Sequence, residues 1–527
     1  MSDFNPLNRS KISTHRSSFD LSSKKLFTAK VGEILPCYWQ IAIPDTKYRI
    51  SSDWFTRTVP VNTAAYTRIK EYYDFYAVPL RLISRALPQA FTQMTDYVTS
   101  AITNARNTDT LKDVPYCNLS DISSYFDHIY DKDYFDDVSL PLAYGGVKIL
   151  DMLGYGSFMS KEAVSLGHVT ASYFGHSISN PTDNPLVYSA SQRVNILPIL
   201  AYQKIYYDFF SHSQWEKHLA YAYNVDYWLG NISISPTKEM LKLRYANYPK
   251  DYFMGVLPNS QYGSVAVLPG SLSRSDNPSR VFVYTSGSGS VGSILNSASS
   301  TTVATNNTSS NTRYATLNSD LSALSIRATE YLQRWKEVVQ FSSKDYSDQM
   351  AAQFGIKAPE YMGNHAHYIG GWSSVININE VLNTNLDTQE SQASIAGKGV
   401  GSNQGHTLTY DCGAEHQVIM CVYHAVPMLD WELSGQNPQL TVSAVSDFPQ
   451  PAFDQLGMQP VPALNFHNNL SVQGSGNLGY NLRYWQWKSS VDTIHSGFRT
   501  QGGYASWVAA VDGEEVLTSD ASFTYHT

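Results

Sequence analysis

Charge is what this chain has least of. Only 16% of its 527 residues are Asp, Glu, Lys or Arg, against about 25% in ordinary soluble domains, so much of its surface has to be uncharged polar or covered by partners. Cysteine is scarce too: Cys37, Cys117, Cys412 and Cys421 are too few and too scattered for a disulfide framework, and reduced thiols are expected. No apolar run reaches the roughly 18 residues of a membrane span, and no charged segment followed by an apolar core opens the chain. Cytosolic synthesis and use, with no membrane partner, are therefore expected. The GxSxG elbow, the P-loop and HExxH are missing as well, which removes the commonest hydrolase and nucleotide-binding signals.

Aromatic residues are plentiful. The 37 tyrosines supply large contact area with a polar tip, as interfaces use, and suit a tyrosine-rich sheet equally well. The net charge of -8 excludes the chain as a whole from acting as an electrostatic trap for nucleic acid. Its first 30 residues differ, with Arg9, Lys11, Arg16, Lys24, Lys25 and Lys30 set against Asp3 and Asp20. An arm of that charge can lie on phosphate, or can simply be a solvated terminus.

The first third reads as strands, with Lys25 to Pro44 and Glu71 to Ile83 rich in β-branched and aromatic residues and bounded by proline. In the second, Tyr73, Phe75 and Ala77 share a face. Pro198 suits a first helical position, followed by Ala201, Ile205 and Phe209 at helical spacing. The pattern predicts a helix over Leu321 to Val339, capped by Asp320, with Leu324, Ala328, Leu332, Trp335 and Val339 on one stripe. A shorter helix is predicted from Asp345 to Phe354, stopped by Gly355, before a Gly-Gly turn at Gly370 and Gly371. Between positions 285 and 318, 24 of 34 residues are Ser, Thr, Asn or Gly and Arg313 is the lone charge. Such a segment cannot build a core of its own, and a loop inserted in one domain is expected rather than a linker.

Four constellations could be chemistry. Two GxGxxG strings occur (Gly287, Gly289, Gly292 and Gly474, Gly476, Gly479), but SILNSASSTT after Gly292 is a poor helix former with no acid about 20 positions on, and two such hits are expected by chance among 32 glycines. Cys412, His416, Cys421 and His424 are zinc-ligand types, but on one strand from Gln417 to Val426 alternation turns Cys421 away from the histidines. Asp430 and Glu432 flank Trp431 at a spacing of about 7 Å on a strand, which inverting glycosidases use and which solvated strand ends also show. Asp127, Asp131, Asp133, Asp136 and Asp137 could hold calcium, yet lack the glycine and terminal glutamate of an EF-hand loop.

The ordered phrases of the chain resemble a known family. RSSFD (Arg16 to Asp20), FTRTVPVN (Phe55 to Asn62), FYAVPLRLI (Phe75 to Ile83), AYQKIYYDFF (Ala201 to Phe210), KDYFMGVLP (Lys250 to Pro258) and YLQRWKE (Tyr331 to Glu337) come first. After them stand FGIKAPEYMGNHAHYIGGWSSVININEVL (Phe354 to Leu382), AGKGVG (Ala396 to Gly401), EHQVIMCVYHAVP (Glu415 to Pro427), PQPAFDQLGMQPVPALNF (Pro449 to Phe466) and GYNLRYWQWKSSVDTIHSGF (Gly479 to Phe498). In this order they resemble the landmarks of the major capsid protein of the Microviridae, the tailless icosahedral single-stranded DNA phages, on the gokushovirus-like branch. After Phe498 the chain departs from the family's pattern, which puts the assignment of the last strand in doubt.

The resemblance implies a mainly β fold, an antiparallel eight-stranded jelly-roll capsid β-sandwich with long helix- and loop-containing insertions. It implies a basic arm over 1–30, a single capsid domain over 31–527, and a surface insertion over 259–320 forming a protrusion near threefold axes, with host-receptor contact through it. It further implies pentamers closing into a T=1 shell around circular single-stranded DNA in the virion, assembled in the host bacterial cytoplasm with a small basic DNA-binding protein and a DNA pilot protein. No catalytic residue, cofactor or metal carries over. Candidate DNA contacts are Arg9, Lys11, Arg16, Lys24, Lys25, Arg483 and Lys488. Tyr480, Tyr484, Trp485 and Trp487 are candidate interface anchors or interior aromatics on which bases could stack, with core packing as the competing role. A carbohydrate-binding or carbohydrate-cleaving all-β protein would share the composition and is the alternative.

Overall fold

A computed structural model of the chain describes residues 17–58, 66–84, 87, 91, 114–119, 121–122, 139–156, 193–227, 239–267, 270–275, 292–297, 300–305, 314–319, 323–356, 363–382, 395–433, 435–454, 456–466, 476–508 and 510–512. Strands β1 (Leu35–Ala42), β2 (Lys47–Ile50), β3 (Asp53–Arg57) and β4 (Ile69–Pro79) come first. They are followed by β5 (Tyr116–Asn118), β6 (Arg193–Asn195), β7 (Gly270–Ser275), β8 (Gly292–Ser297), β9 (Ser300–Thr305) and β10 (Tyr314–Ser319). The last third holds β11 (His367–Leu382), β12 (Ile395–Gln404), β13 (Leu408–Asp411), β14 (Gln417–Pro427), β15 (Asp430–Glu432), β16 (Met458–Pro462), β17 (Asn477–Leu482) and β18 (Ala510–Asp512).

Six of these form one curled antiparallel sheet in the order β1-β14-β4-β11-β12-β3. The long β11 makes the curl, since its first half pairs with β4 and its second half with β12. The fold is mainly β, an antiparallel sandwich of jelly-roll type with long insertions. β14 lies between β1 and β4 and is buried from Gln417 to Val426, which is why its sequence is continuously apolar rather than alternating. On β4, Glu71, Tyr73, Phe75 and Ala77 are all buried. Tyr73 pairs with Tyr423 in register, and its ring sits 4.7 Å from Trp54 and 4.9 Å from Tyr423.

Glu71, fully buried in that aromatic wall, accepts hydrogen bonds from Trp54 Nε1 (3.0 Å), Thr56 Oγ1 (2.7 Å) and Ser374 Oγ. One carboxylate thereby ties β3 and β11 to β4. Gly370 and Gly371 do not make the predicted turn. They lie inside β11 at a bulge between Tyr368 and Gly370, where a Cβ on Gly371 would stand 2.0 Å from Asp74 Oδ1 and 2.8 Å from the Tyr73 carbonyl. Glycine is there for close approach, not for reversal.

The strand predicted from Lys25 begins only at Leu35. Gly32, at φ 88°, turns the chain into the sheet and exchanges backbone bonds with Ala425 and Ala246, both 2.7 Å. Helices α1 (Leu80–Ile83), α2 (Ser139–Leu153), α3 (Leu197–Ile205), α4 (Ala323–Phe341) and α5 (Tyr346–Phe354) sit in the connections. α2 packs on β1, with Trp39 Nε1 donating to the Leu153 carbonyl at 2.8 Å and the buried Lys148 ammonium 2.5 Å from the Glu33 carboxylate. α3 has Pro198 in its first turn, and Ala201 and Ile205 are buried as their spacing predicts. Phe209 comes out exposed because Tyr206–Phe210 widens into a π turn and breaks the spacing. For α5, the Asp345 carboxylate accepts from Ser347 N at 2.8 Å and Gly355, at φ 67°, donates to the Ala351 carbonyl.

In the serine-rich insertion, β7 pairs with β10 and, nested between them in sequence, β8 pairs with β9. The expected loop is thus partly strand, its backbone groups satisfied by ladders. VFVY (Val281 to Tyr284), also read as a strand, lies outside the described residues. Among the described residues no helix is long and apolar enough to cross a membrane.

Candidate nucleic-acid and subunit interfaces

β16 and β17 form an antiparallel pair, and Tyr480 on β17 exchanges two 2.8 Å backbone bonds with Leu257. A glycine at 479 is required here, since a Cβ would meet the Leu257 carbonyl at 2.7 Å. Past β17 the chain reverses at Tyr484, whose φ of 62° is held by Gln459 Oε1 accepting from its N–H at 3.2 Å. The Trp485–Trp487 turn follows, closed by Lys488 N and Ser489 N donating to the Trp485 carbonyl.

This geometry separates the four aromatic candidates. Tyr484 is buried and Trp485 packs half-buried against a second core of Phe253, Trp431, Val461 and Phe466. Tyr480 is half-buried in its ladder. Trp487 alone stands out, 38% exposed, its ring 6.2 Å from the exposed Phe448. Of the two flanking cations, Arg483 lies over the Tyr484 ring at 5.8 Å and Lys488 is ion-paired with Asp454. In the arm, Lys24 is exposed, and Lys25 Nζ donates to the Met152 carbonyl, its burial drawing the ammonium below its usual range. Phe27 sets its edge on Tyr423 at 5.4 Å and so fastens the arm to the sheet. Arg9, Lys11 and Arg16 lie outside the described residues.

The residues weighed for chemistry are dispersed. Cys412 joins a small core with Ala42, Ala77 and Ile419, its thiol pushed up to about 11 by burial and by Asp411. His416 stacks on Phe91 at 4.3 Å, and Cys421, whose carbonyl accepts from the Cys37 thiol at 3.5 Å, is buried in the sheet. His424 stacks on Tyr72 at 4.7 Å, and burial lowers its imidazole to about 4. Among the described residues no three His, Cys, Asp or Glu side chains are grouped to hold a metal ion. Gly292 opens a strand rather than a helix. The Asp127 to Asp137 cluster lies outside the described residues.

Asp430 and Glu432 flank a fully buried Trp431 whose Nε1 donates to Asp251 at 2.6 Å. Burial and then Asp492 raise the Asp430 carboxyl, while Glu432 accepts from Thr500 N at 2.8 Å. That pair joins the end of the chain to the body: β15 pairs in parallel with β18, and Trp507 stacks with Tyr66 at 5.9 Å. The departing tail is therefore tied in through β18 and an aromatic cluster that sequence reasoning did not single out.

What the sequence reading also missed is how much large apolar side chain remains uncovered. Phe19 and Leu26 on the arm, Leu324, Tyr331 and Trp335 on α4, and Leu440, Val445 and Phe453 in the turns after β15 are all exposed. Monomeric soluble proteins seldom leave large apolar patches open.

Comparison with known proteins gives the family. The family model described as capsid protein (F protein) matches residues 173–506, well over half of the chain. A capsid protein VP1 of Chlamydia phage 1 is 23% identical over 210 residues, which cover 38% of this chain and 35% of that protein. The match thus spans about a third of the relative's length. Set beside the jelly-roll sheet and the ordered phrases that run through it, the family match makes this chain a member of the phage capsid (F) protein family of the Microviridae.

Proposed function

We propose that the chain is a major capsid subunit that self-assembles through pentamers into a small T=1 icosahedral shell enclosing circular single-stranded DNA. The observation that carries this reading is the uncovered apolar surface on a chain with so little charge. A shell subunit works through many modest contacts repeated by symmetry, with apolar anchors at their centres. Residues 31–527 form the capsid domain in this reading, and the arm over 1–30 lies inside with Arg9, Lys11, Arg16 and Lys24 against phosphate. Arg483 and Trp487 are the members of the aromatic turn best placed to meet a base, since Tyr484 and Trp485 serve packing. Because the chain is acidic overall, a separate small basic protein neutralises the genome, and a pilot protein accompanies it. The 259–320 insertion, rich in serine, threonine, asparagine and glycine, projects near the threefold axes and meets the host receptor.

Negative-stain microscopy of the purified full-length chain tests the reading. Uniform spherical particles or five-membered rings support it. A monodisperse monomer that binds glycans would refute it in favour of a carbohydrate-binding protein.

A further inference from the structure

Helix α4 is amphipathic the wrong way round. Its stripe Ser325, Thr329, Gln333, Lys336, Gln340 is the side turned toward its own chain, half-buried to buried. The contacts made there are polar. Gln333 Oε1 accepts from Ala266 N at 3.0 Å, the Lys336 carbonyl accepts from Tyr262 N at 3.1 Å, and Gln340 trades bonds with Gln214 at 2.7 and 3.2 Å.

The apolar stripe, turned roughly 120° around the helix at 3.6 residues per turn, faces outward. Leu324 is 76% exposed, Tyr331 68% and Trp335 45%, and Leu332 stands between them. Among the described residues, the aromatic contact Trp335 makes is edge-on to Tyr262, which is itself exposed. α5 continues the pattern, with Gln349 directed at the carbonyls of Val339 and Ser343 while Tyr346 and Phe354 stay exposed. A surface helix normally turns its apolar stripe to the core.

We infer that the outward face of α4 and α5 is a subunit interface, covered by a second copy of this chain. The inference rests on the coat-protein reading and gives it a location. The exposed parts of Leu324, Tyr331, Leu332, Trp335, Tyr346 and Phe354 amount to on the order of 750 Å² at roughly 200 Å² per large side chain. That is close to the roughly 800 Å² each partner contributes to a stable protein interface. Polar contacts on the inner side fix the helix in place without consuming any of this area, so the face is preformed for a partner.

The test is the Leu332→Glu/Trp335→Glu double variant of the full-length chain, followed by sedimentation velocity and by thermal unfolding beside the wild type. The variant is expected to unfold at the wild-type temperature, yet to need more than about tenfold higher concentration to form particles, as loss of buried anchors at an interface centre requires. Particles at wild-type concentration would overturn the assignment, even if the variant lost affinity for some other virion component. A variant that unfolds early would overturn it too, by showing that the chain covers this face itself. A wild-type chain that never associates would bring down the coat reading and this inference together, an outcome distinct from failure of the face alone.

Discussion

The β4–β14 sheet and the α4–α5 arm both obey simple periodicity, yet they point their apolar residues in opposite senses. In the sheet, Tyr73, Phe75, Cys421 and Tyr423 share one face and are buried inside the chain. On the arm, Leu324, Tyr331 and Trp335 face away from it while serine, threonine and glutamine face in. The difference teaches that periodicity reports that a stripe will be covered, but not by which chain.

Breaking the sheet should have the largest effect. Glu71→Ala removes the acceptor for Trp54, Thr56 and Ser374 in a fully buried place, and should cost about 3–9 kcal/mol at about 1–3 kcal/mol per orphaned donor. Denaturant melts would read the loss, and a change under 1 kcal/mol would contradict it. Gly371→Ala forces a Cβ against Asp74 and the Tyr73 carbonyl and should cost about 2–3 kcal/mol, as overpacking does. Against these, the Leu332→Glu/Trp335→Glu variant described above should leave unfolding untouched and raise only the concentration needed for association, by more than about tenfold.

A finer contrast concerns pH. His365 Nε2 lies 3.1 Å from Asp345 Oδ1 and latches the first turn of α5 to the start of β11. The hydrogen bond to Asp345 raises the imidazole above its usual value against burial, with Asp208 adding to the rise and Lys204 opposing it. Burial by itself would raise the Asp345 carboxyl, but bonds from His365 and Ser347 prevail and hold it below the carboxylate range. His218, which bonds Tyr223 at 2.7 Å, is the other imidazole near the group. Stability from the raised histidine is fully present below about pH 6.5 and is lost as pH rises through the folded value. Stability from the depressed aspartate is present above about pH 3.9 and is lost as pH falls. Amide exchange in α5, corrected for intrinsic rates, should therefore quicken from pH 6 to pH 8.5 in the wild type and stay level in His365→Gln. A level wild-type profile would contradict the latch.

The smallest effect on folding is expected from the insertion. Replacing residues 276–313 with a short turn keeps β7 and β10 as a ladder, and should leave unfolding and assembly within error while lowering adsorption to host cells. Unchanged adsorption would remove the receptor role.

Signals confined to a few neighbouring residues were legible in the sequence. Asp345 and Gly355 bound α5 as read, Pro198 lies in the first turn of α3, and the apolar run after Glu415 is the interior strand β14. Misreadings came where long-range contacts set the meaning of a residue. Gly370 and Gly371 resemble a turn until Leu408 is seen pressing on the first and Asp74 on the second. Glu71 carries no signal of its own in the strand pattern, and its role emerges only where β3 and β11 converge on it. Phe209 leaves its stripe because a π turn adds a residue. For the aromatic turn, the string around Trp485 and Trp487 gave no hint that φ 62° at Tyr484 would send one ring inward and the other out.

Hydroxyl-radical footprinting of free subunit and assembled particle, read by mass spectrometry, compares the two regions in one experiment. Tyr331 and Trp335 should be strongly oxidised in the subunit and protected severalfold in the particle, while the buried Trp431 and Tyr202 stay protected in both. Equal oxidation of Tyr331 and Trp335 in subunit and particle would contradict the account.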